Sequence, residues 1–109
     1  MNRPTIVCLC GSTRFGKAFQ RANLEETLNL KIVLSIGCDM HSDSELFAEK
    51  SEKELECIKA NLDELHKRKI DLADEVLILN VGGYIGESTA SELAYAKAAG
   101  KTIRYLEPT

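Results

Sequence analysis

The chain has 109 residues, 44% of them apolar, which is enough for a buried core, and we expect residues 1–109 to form a single domain. Its 14 basic and 17 acidic residues give a net charge of −3, which argues against binding to nucleic-acid polymers or to a membrane surface. No apolar run approaches the roughly 20 residues of a membrane span, and the opening stretch has the pattern of a strand rather than of a signal peptide. We therefore expect a cytoplasmic protein.

The chain opens with the pattern of a strand, a short polar turn and a helix. Residues 5–10 are an apolar run that predicts the first strand, and apolar side chains recur at helical spacing within residues 15–29. The turn between them combines glycine, hydroxyl and guanidinium groups: Gly11, Ser12, Thr13 and Arg14. Ser12 or Thr13 is expected to be the helix N-cap. On this turn alone, such a cap with a solvated Arg14 is favoured over an anion site, although the same groups could bind a phosphate.

Four cysteines occur, at positions 8, 10, 38 and 57, without a Cys-x-x-Cys pair. Cys8 and Cys10 are two residues apart and should share one face of the first strand. We interpret them as small buried hydrophobic side chains in a reducing compartment, without a disulfide framework. Only His41 and His66 could join them as imidazole ligands, and we expect neither a metal site nor a cofactor.

The middle of the chain combines a second strand, a loop and the most polar stretch. Residues 31–36 predict the strand, and the loop that follows could line a pocket at the edge of the sheet. Within that loop, Asp39 and His41 are interpreted as solvated side chains rather than as a metal-binding pair. Two capping boxes then predict a short helix followed by a longer one: Ser42-x-x-Glu45 and Ser51-x-x-Glu54.

The longer helix carries a narrow apolar stripe on a charged surface. Its members are aliphatic residues at helical spacing: Leu55, Ile58, Leu62 and Leu65. So narrow a stripe could be the seam of a homodimer. Asp63 and His66 lie three residues apart on one face near the end of this helix, where the carboxylate could shift the pKa of the imidazole. A histidine that stabilises the helix C-terminus is the structural alternative.

The rest of the chain is organised around a strand, a glycine loop and a helix. An apolar run within residues 75–81 predicts a strand that is buried on both faces. The glycines that follow permit positive φ and close approach to a ligand: Gly82, Gly83 and Gly86. Residues 87–99 predict a helix closed by Gly100, whose alanines pack closely on the sheet, and Glu92 lies near its start. Residues 102–106 predict the fourth strand.

Strands and helices thus alternate throughout, which predicts an α/β fold. We expect a doubly wound sheet, Rossmann-like or flavodoxin-like, of four parallel strands in the order 2-1-3-4 with helices on both faces. Ligands of such sheets bind at the carboxyl ends of the strands, where the connections diverge. The turn at residues 11–14 and the loop at residues 82–88 should face each other there.

A family resemblance appears in three segments, CGSTRF, LADEVLILNV and GESTASELAYAKAAGK. Together they are similar to the nucleoside 2-deoxyribosyltransferase-like family, which includes the 2'-deoxynucleoside 5'-phosphate N-hydrolases, and the resemblance covers most of the chain. It implies that Glu92 attacks C1' of a deoxyribose and forms a covalent sugar intermediate while a second acid protonates the leaving base. The residues expected to contact the substrate or its phosphate are Gly11, Ser12, Thr13, Arg14, Gly83, Gly86 and Ser88.

Two positions depart from that family's pattern. The second carboxylate of the family typically lies eight residues before the Asp that leads the third strand, and this position holds His66. Asp63, one helical turn earlier, or His66 itself would then be the acid. The family also tends to place a polar residue six positions before the nucleophile, where this chain has Gly86, and Glu87 or Ser88 would take its place.

The predicted function is therefore transfer or hydrolysis of the N-glycosidic bond of a 2'-deoxynucleoside or its 5'-monophosphate. One alternative is a nucleotide-binding module of the same fold without catalysis. Another is phosphoribohydrolase-like cleavage of ribonucleotides, which the Gly-Gly-Tyr sequence with a downstream Glu suggests. The expected partner is a small-molecule nucleoside or nucleotide, without a nucleic-acid polymer or a membrane. Because subunits of the family share sites, a homodimer or higher homo-oligomer is also implied.

Overall fold

The computed structural model describes residues 3–36 and 50–109, which contain a four-stranded parallel sheet in the order β2-β1-β3-β4. The strands are β1 (Ile6–Cys10), β2 (Ile32–Leu34), β3 (Glu75–Ile78) and β4 (Thr102–Tyr105). The connecting helices are α1 (Gly16–Leu28), α2 (Glu52–Leu72) and α3 (Glu87–Ala98). The predicted doubly wound α/β fold and its strand order are confirmed, although each strand is shorter than its sequence pattern indicated.

The core has two layers, one on each face of the sheet. Alternate residues of β1 point to opposite sides, so that Val7 and Leu9 pack with Phe19 of α1. Cys8 and Cys10 face the other layer, which α2 and α3 supply through residues such as Ile70 and Ala96. One helix therefore covers one face and two helices cover the other.

Helix α2 begins at the capping box predicted from the sequence, since the Ser51 side chain accepts a hydrogen bond from the Glu54 N–H at 3.2 Å. Further along α2, the buried side chains are His66 and Ile70, whereas Leu62 and Leu65 of the predicted stripe are 42% and 52% exposed. The earlier box at Ser42-x-x-Glu45 and the loop with Asp39 and His41 lie outside the described residues.

Helix α3 begins at Glu87, as predicted, and Gly100 follows its end with a φ of +75°. The expectation that its alanines pack on the sheet is largely wrong. Ala96 is fully buried, whereas Ala90, Ala94 and the alanines at the end of the helix are exposed. The helix instead reaches the interior through Thr89, Glu92 and Ala96, residues spaced by three and four. No helix within the described ranges is both long and apolar enough to span a membrane.

A cluster of charged side chains, here called the Arg104 cluster, lies on the α1 side of the sheet: Glu26, Lys31, Glu75 and Arg104. The Arg104 guanidinium contacts Glu26 and lies 2.8 Å from Glu75 Oε1. Lys31 Nζ is also 2.8 Å from Glu75 and 3.5 Å from Glu26. Each buried carboxylate of this cluster thus has a cation, which compensates for the cost of removing it from water.

Candidate active site

The turn after β1 begins at Gly11. A side chain at this position would displace its neighbours. A Cβ at Gly11 would lie 3.0 Å from Leu79 Cβ and 3.4 Å from Phe19 Cζ. The absence of that atom allows the turn after β1 to approach Leu79, the residue that follows β3. This close approach is a packing reason for a glycine that the sequence indicated as a ligand contact.

A cleft of about 740 Å³ opens at this edge of the sheet. Most of the predicted site residues line it: Gly11, Ser12, Thr13, Asp63, His66, Gly86, Ser88 and Glu92. They come from the turn after β1, from α2 and from the start of α3. The turn at residues 11–14 and the loop at residues 82–88 therefore do meet over one cleft, as the topology predicted.

Arg14 and Gly83 are outside the residues that line the cleft. The Arg14 guanidinium lies over the ring of Tyr84, 4.5 Å from its centroid, and Tyr84 is itself part of the lining. Gly83 has a φ of +81°, and its N–H donates to the carbonyl of Asn80 at 2.9 Å. Arg14 thus reaches the cleft only through an aromatic ring, and the Gly83 amide is already bonded.

The glycine loop also holds an internal anion. Glu107 Oε2 accepts a hydrogen bond from the Gly82 N–H at 2.9 Å. The backbone of Glu107 exchanges two further hydrogen bonds with the Asn80 side chain, at 2.9 and 3.0 Å. These bonds join the loop to the segment that follows β4, so the Gly82 amide is not available to a phosphate.

Two other elements present donors to the cleft. Ser12 Oγ accepts from the Arg14 N–H at 3.3 Å and caps a single 3-10 turn over Thr13–Phe15. The prediction that Ser12 or Thr13 caps the helix itself is wrong, because this turn comes first and the N-cap of α1 is Phe15, which makes no side-chain cap bond. Helix α3 has Gly86 as its N-cap, and no side chain in the described residues caps it. Its first turn, through Ser88, lines the cleft. An uncapped helix N-terminus presents N–H donors and a positive dipole to an anion.

Glu92 is the most unusual group in the cleft. Its residue is 7% exposed, and its Oε2 atom is buried without a hydrogen-bond partner among the described residues. Burial, reinforced by the charges of Cys8 and Asp63 and opposed by that of His66, raises the pKa of Glu92 from 4.5 to about 7. A buried carboxylate oxygen without a partner is costly, so that its presence beside a cleft indicates a functional role.

His66 joins Glu92 to two cysteines. Its Nε2 atom lies 3.9 Å from Glu92 Oε2, 3.3 Å from Cys10 Sγ and 3.6 Å from Cys8 Sγ. Burial lowers the pKa of His66, but its hydrogen bond with Cys8 and the nearby carboxylate outweigh that effect, and the net pKa is raised. Hydrogen bonding with Cys10 lowers the pKa of Cys8, and the same bond raises the pKa of Cys10.

The two cysteines are the part of the site that sequence reasoning missed. Cys8 and Cys10 are fully buried, as expected, but their thiols contact a polar group instead of merely filling the core. The available indication was the i, i+2 spacing, which places both thiols on one face of β1. The contact between His66 and these thiols depends on how α2 is rotated about its own axis, which the sequence does not reveal.

The cleft thus combines a buried carboxylate with a free oxygen, an exposed carboxylate at Asp63 one turn from His66, and an uncapped helix N-terminus. This set can supply a nucleophile, an acid and an anion site. No protein-family model and no curated protein matches the chain.

Proposed function

We propose that this protein cleaves or transfers the N-glycosidic bond of a 2'-deoxynucleoside or its 5'-monophosphate, with Glu92 as the nucleophile. The observation that carries the proposal is the Glu92 Oε2 atom, which is buried beside an open cleft and has no partner within the described residues. A carboxylate oxygen that is shielded from water and makes no hydrogen bond is a stronger nucleophile than a solvated one. The resemblance to the nucleoside 2-deoxyribosyltransferase-like family adds the substrate class.

The reaction would follow the retaining scheme of glycosidases. Glu92 attacks C1' of the deoxyribose, the bond from C1' to the base breaks, and an acid gives a proton to the departing base. The covalent sugar ester then reacts with a second base or with water, and Glu92 is regenerated. The first half of this scheme needs one ionised carboxylate and one protonated acid in the same cleft.

We assign the acid to Asp63 and a positioning role to His66. His66 Nε2 already faces Glu92 and two thiols, which leaves it poorly placed to reach a leaving base. Its raised pKa favours the imidazolium, whose charge stabilises the ionised form of Glu92. Asp63 is exposed on the cleft side of α2 and is free of those contacts.

A 5'-phosphate on the substrate would bind between the turn after β1 and the start of α3. Ser12 and Thr13 contribute hydroxyl groups, and the N–H groups near Ser88 contribute backbone donors and the helix dipole. Arg14 adds positive charge at the rim, where it lies on Tyr84. Gly83 takes no part in this arrangement, since its N–H is bonded to Asn80.

The direct test is incubation of the purified protein with deoxynucleosides, their 5'-monophosphates and the matching ribonucleotides, with free base followed by chromatography. We expect release from a deoxy substrate and none from Glu92→Gln. Tight binding without release would identify a binding module instead, and preferential cleavage of ribonucleotides would identify a phosphoribohydrolase. An absence of both binding and release would reject the proposal.

The assignment of the acid has its own test. Asp63→Asn should lower kcat by about 100-fold or more, because general acid catalysis typically contributes that much. The neighbouring Glu64→Gln is the matched control, since Glu64 is exposed on the same helix but does not line the cleft. His66→Gln should instead shift the pH profile of kcat, as the charge that stabilises Glu92 is lost. Equal activity of Asp63→Asn and wild type would exclude this carboxylate as the acid.

A further inference from the structure

Four potential metal ligands from three elements converge behind the cleft. Cys8 and Cys10 come from β1, His66 from α2 and Glu92 from α3. The ligand atoms of the first three all lie within 4.8 Å of one another. Glu92 lies outside that limit but next to the group, with Oε2 at 3.9 Å from His66 Nε2, and this oxygen is buried without a partner in the described part of the chain.

The spacing between the imidazole and the two thiols is that of a tetrahedral zinc site. Zinc bonds of about 2.3 Å to sulfur and about 2.0 Å to nitrogen place the sulfur and nitrogen ligands about 3.5 Å apart. The measured distances from His66 Nε2 to Cys10 Sγ and Cys8 Sγ, 3.3 and 3.6 Å, lie on either side of that value. The two thiols and the imidazole therefore already lie close to the separations that a zinc ion requires.

A disulfide accounts for the two thiols less well. Residues i and i+2 of one strand are separated by about 6.6 Å along the chain, which is at the upper limit of the Cα separation that a disulfide can bridge. It would also leave the Glu92 oxygen without a partner. An ion would satisfy the thiols, the imidazole and the carboxylate together.

We propose that Cys8, Cys10 and His66 form a binding site for a thiophilic divalent cation, with Glu92 as the fourth ligand after rotation of its side chain, and that zinc has the best match to these ligands. Two thiolates and an imidazole select such an ion over magnesium or calcium. On binding, each cysteine gives its thiol proton to the solvent as its sulfur bonds to the metal. The site does not depend on the proposed glycosidic activity.

The cleft gives the ion a path to these ligands. His66 and Glu92 line the cleft, and the fully buried thiols lie behind them. Lys69 also carries its positive charge close enough to act on Cys8 and His66, which helps to offset the negative charge of a site with two thiolates. An ion that enters from solvent would therefore meet the imidazole and the carboxylate first and the two thiols after them.

A bound ion would take the same Glu92 oxygen that is proposed to attack C1'. A carboxylate bonded to zinc is not free to form the sugar ester, so loading the site should switch off base release. This consequence rests on the proposed function, whereas the metal site itself does not. The Glu92 oxygen can bond either to the ion or to the sugar carbon, but not to both at once.

The test uses the full chain, reduced and freed of metal by a chelator, which is then removed, and titrated with Co²⁺ in the absence of nucleotide. Two of the four cysteines are removed by the double substitution Cys38→Ala/Cys57→Ala, so that any sulfur-to-cobalt charge-transfer band must come from Cys8 and Cys10. We expect that band, the visible spectrum of tetrahedral cobalt, one ion per chain, and displacement of cobalt by Zn²⁺. No band in this variant, with its fold verified by circular dichroism, would overturn the proposal, and the result requires no substitution of a proposed ligand.

Substitution of the ligands sharpens the result. Cys10→Ala should weaken zinc binding by more than the roughly 10–100-fold that loss of an outer partner costs. Glu92→Gln should keep the charge-transfer band but bind zinc more weakly, since both thiols remain. Equal zinc affinity for Cys10→Ala and wild type would contradict the assignment. If Cys10→Ala does not fold, the cobalt spectrum of the double variant still decides the question.

The metal site and the glycosidic activity can fail separately. Cobalt binding without base release from the metal-free protein would reject the function and keep the site. Base release without cobalt binding would do the reverse. If both hold, added zinc should abolish base release and a chelator should restore it.

Discussion

The two faces of the sheet differ in how a buried carboxylate is paired. On the α1 side, Glu26 is 7% exposed and contacts the Arg104 guanidinium. On the other side, Glu92 is also 7% exposed, yet its Oε2 atom has no partner in the described residues, and its nearest cationic group is His66 at 3.9 Å. Equal burial with unequal pairing separates a carboxylate that stabilises the fold from one that is available for chemistry.

The comparison teaches that burial alone does not identify a functional acid. Both glutamates lie on helices that pack against the sheet, and both are almost fully buried. What differs is the availability of a cation: Arg104 and Lys31 approach Glu26 from β4 and from the start of β2. Glu92 faces thiols, an imidazole and a cleft.

The largest expected difference between the two glutamates is in activity. Glu92→Gln should lower kcat for base release by at least about 1,000-fold, as loss of a nucleophile does, whereas Glu26→Gln should leave it unchanged. The free energy of unfolding, measured in urea at pH 8 with a chelator present, should show the reverse order, with Glu26→Gln the more destabilising substitution. Glu26→Gln loses an ion pair. Glu92→Gln instead removes a buried charge that destabilises the fold above pH 7, because the folded pKa of Glu92, about 7, lies above the ordinary 4.5.

Equal activity of the two variants would remove the distinction on which the proposed function depends. A Glu92→Gln protein that is strongly destabilised would show instead that this carboxylate is a structural group with a partner. Both variants keep the size of the side chain, so a cavity cannot explain either outcome.

The next effect concerns stability on the α1 side. Arg104→Met should lower the free energy of unfolding by about 2 kcal/mol, less than for a fully buried pair because the Arg104 side chain is 35% exposed. The loss arises because Glu26 and Glu75 would then share only Lys31. Urea denaturation measures it, and base release by the folded variant should be unaffected. A change in kcat would show that the two faces are coupled.

The same cluster predicts an acid sensitivity. Burial raises the pKa of Glu75, but the hydrogen bond from Lys31 and the charge of Arg104 outweigh it, and the net pKa lies below 4.5. A lowered folded pKa contributes stability above pH 4.5 that is lost as the pH falls through the folded pKa. Thermal unfolding between pH 6 and pH 3 should therefore decline less steeply in Glu75→Gln than in wild type. Parallel curves would show that Glu75 does not contribute.

The smallest expected effect tests the phosphate end of the cleft. Ser12→Ala should raise KM for a deoxynucleoside 5'-monophosphate about fivefold, which corresponds to one hydrogen bond of about 1 kcal/mol. KM for the matching nucleoside without a phosphate should not change. An equal rise for both substrates would mean that Ser12 only shapes the 3-10 turn that it caps.

Much of this architecture could be predicted from the chain alone. The alternation of apolar runs with capped helical segments is sufficient for the order 2-1-3-4, and the topology then brings Ser12 and Glu92 to one cleft. The Ser51 cap and the Gly100 end of α3 follow from local backbone chemistry that needs no tertiary information.

The errors have a common physical cause. Hydrophobic periodicity indicates that a helix has an apolar face. The direction in which that face points depends on how the helix packs against the rest of the fold. The stripe through Leu62 and Leu65 is therefore largely exposed while His66 is buried, and α3 uses Ala96 rather than most of its alanines. The contact between His66 and the thiols of Cys8 and Cys10 depends on the same packing, so no pattern in a single sequence could reveal it.

The carboxylate of Glu107 on the Gly82 amide has a consequence for selectivity. The protein supplies its own anion to this amide, and two hydrogen bonds between the Asn80 side chain and the Glu107 backbone keep it there. A phosphate on a ligand would therefore find the Gly82 amide already bonded, and the donors open to it are those of the Ser12 turn and the start of α3. If the proposed function holds, a loop whose amide is already occupied would favour one orientation of an asymmetric ligand over the other.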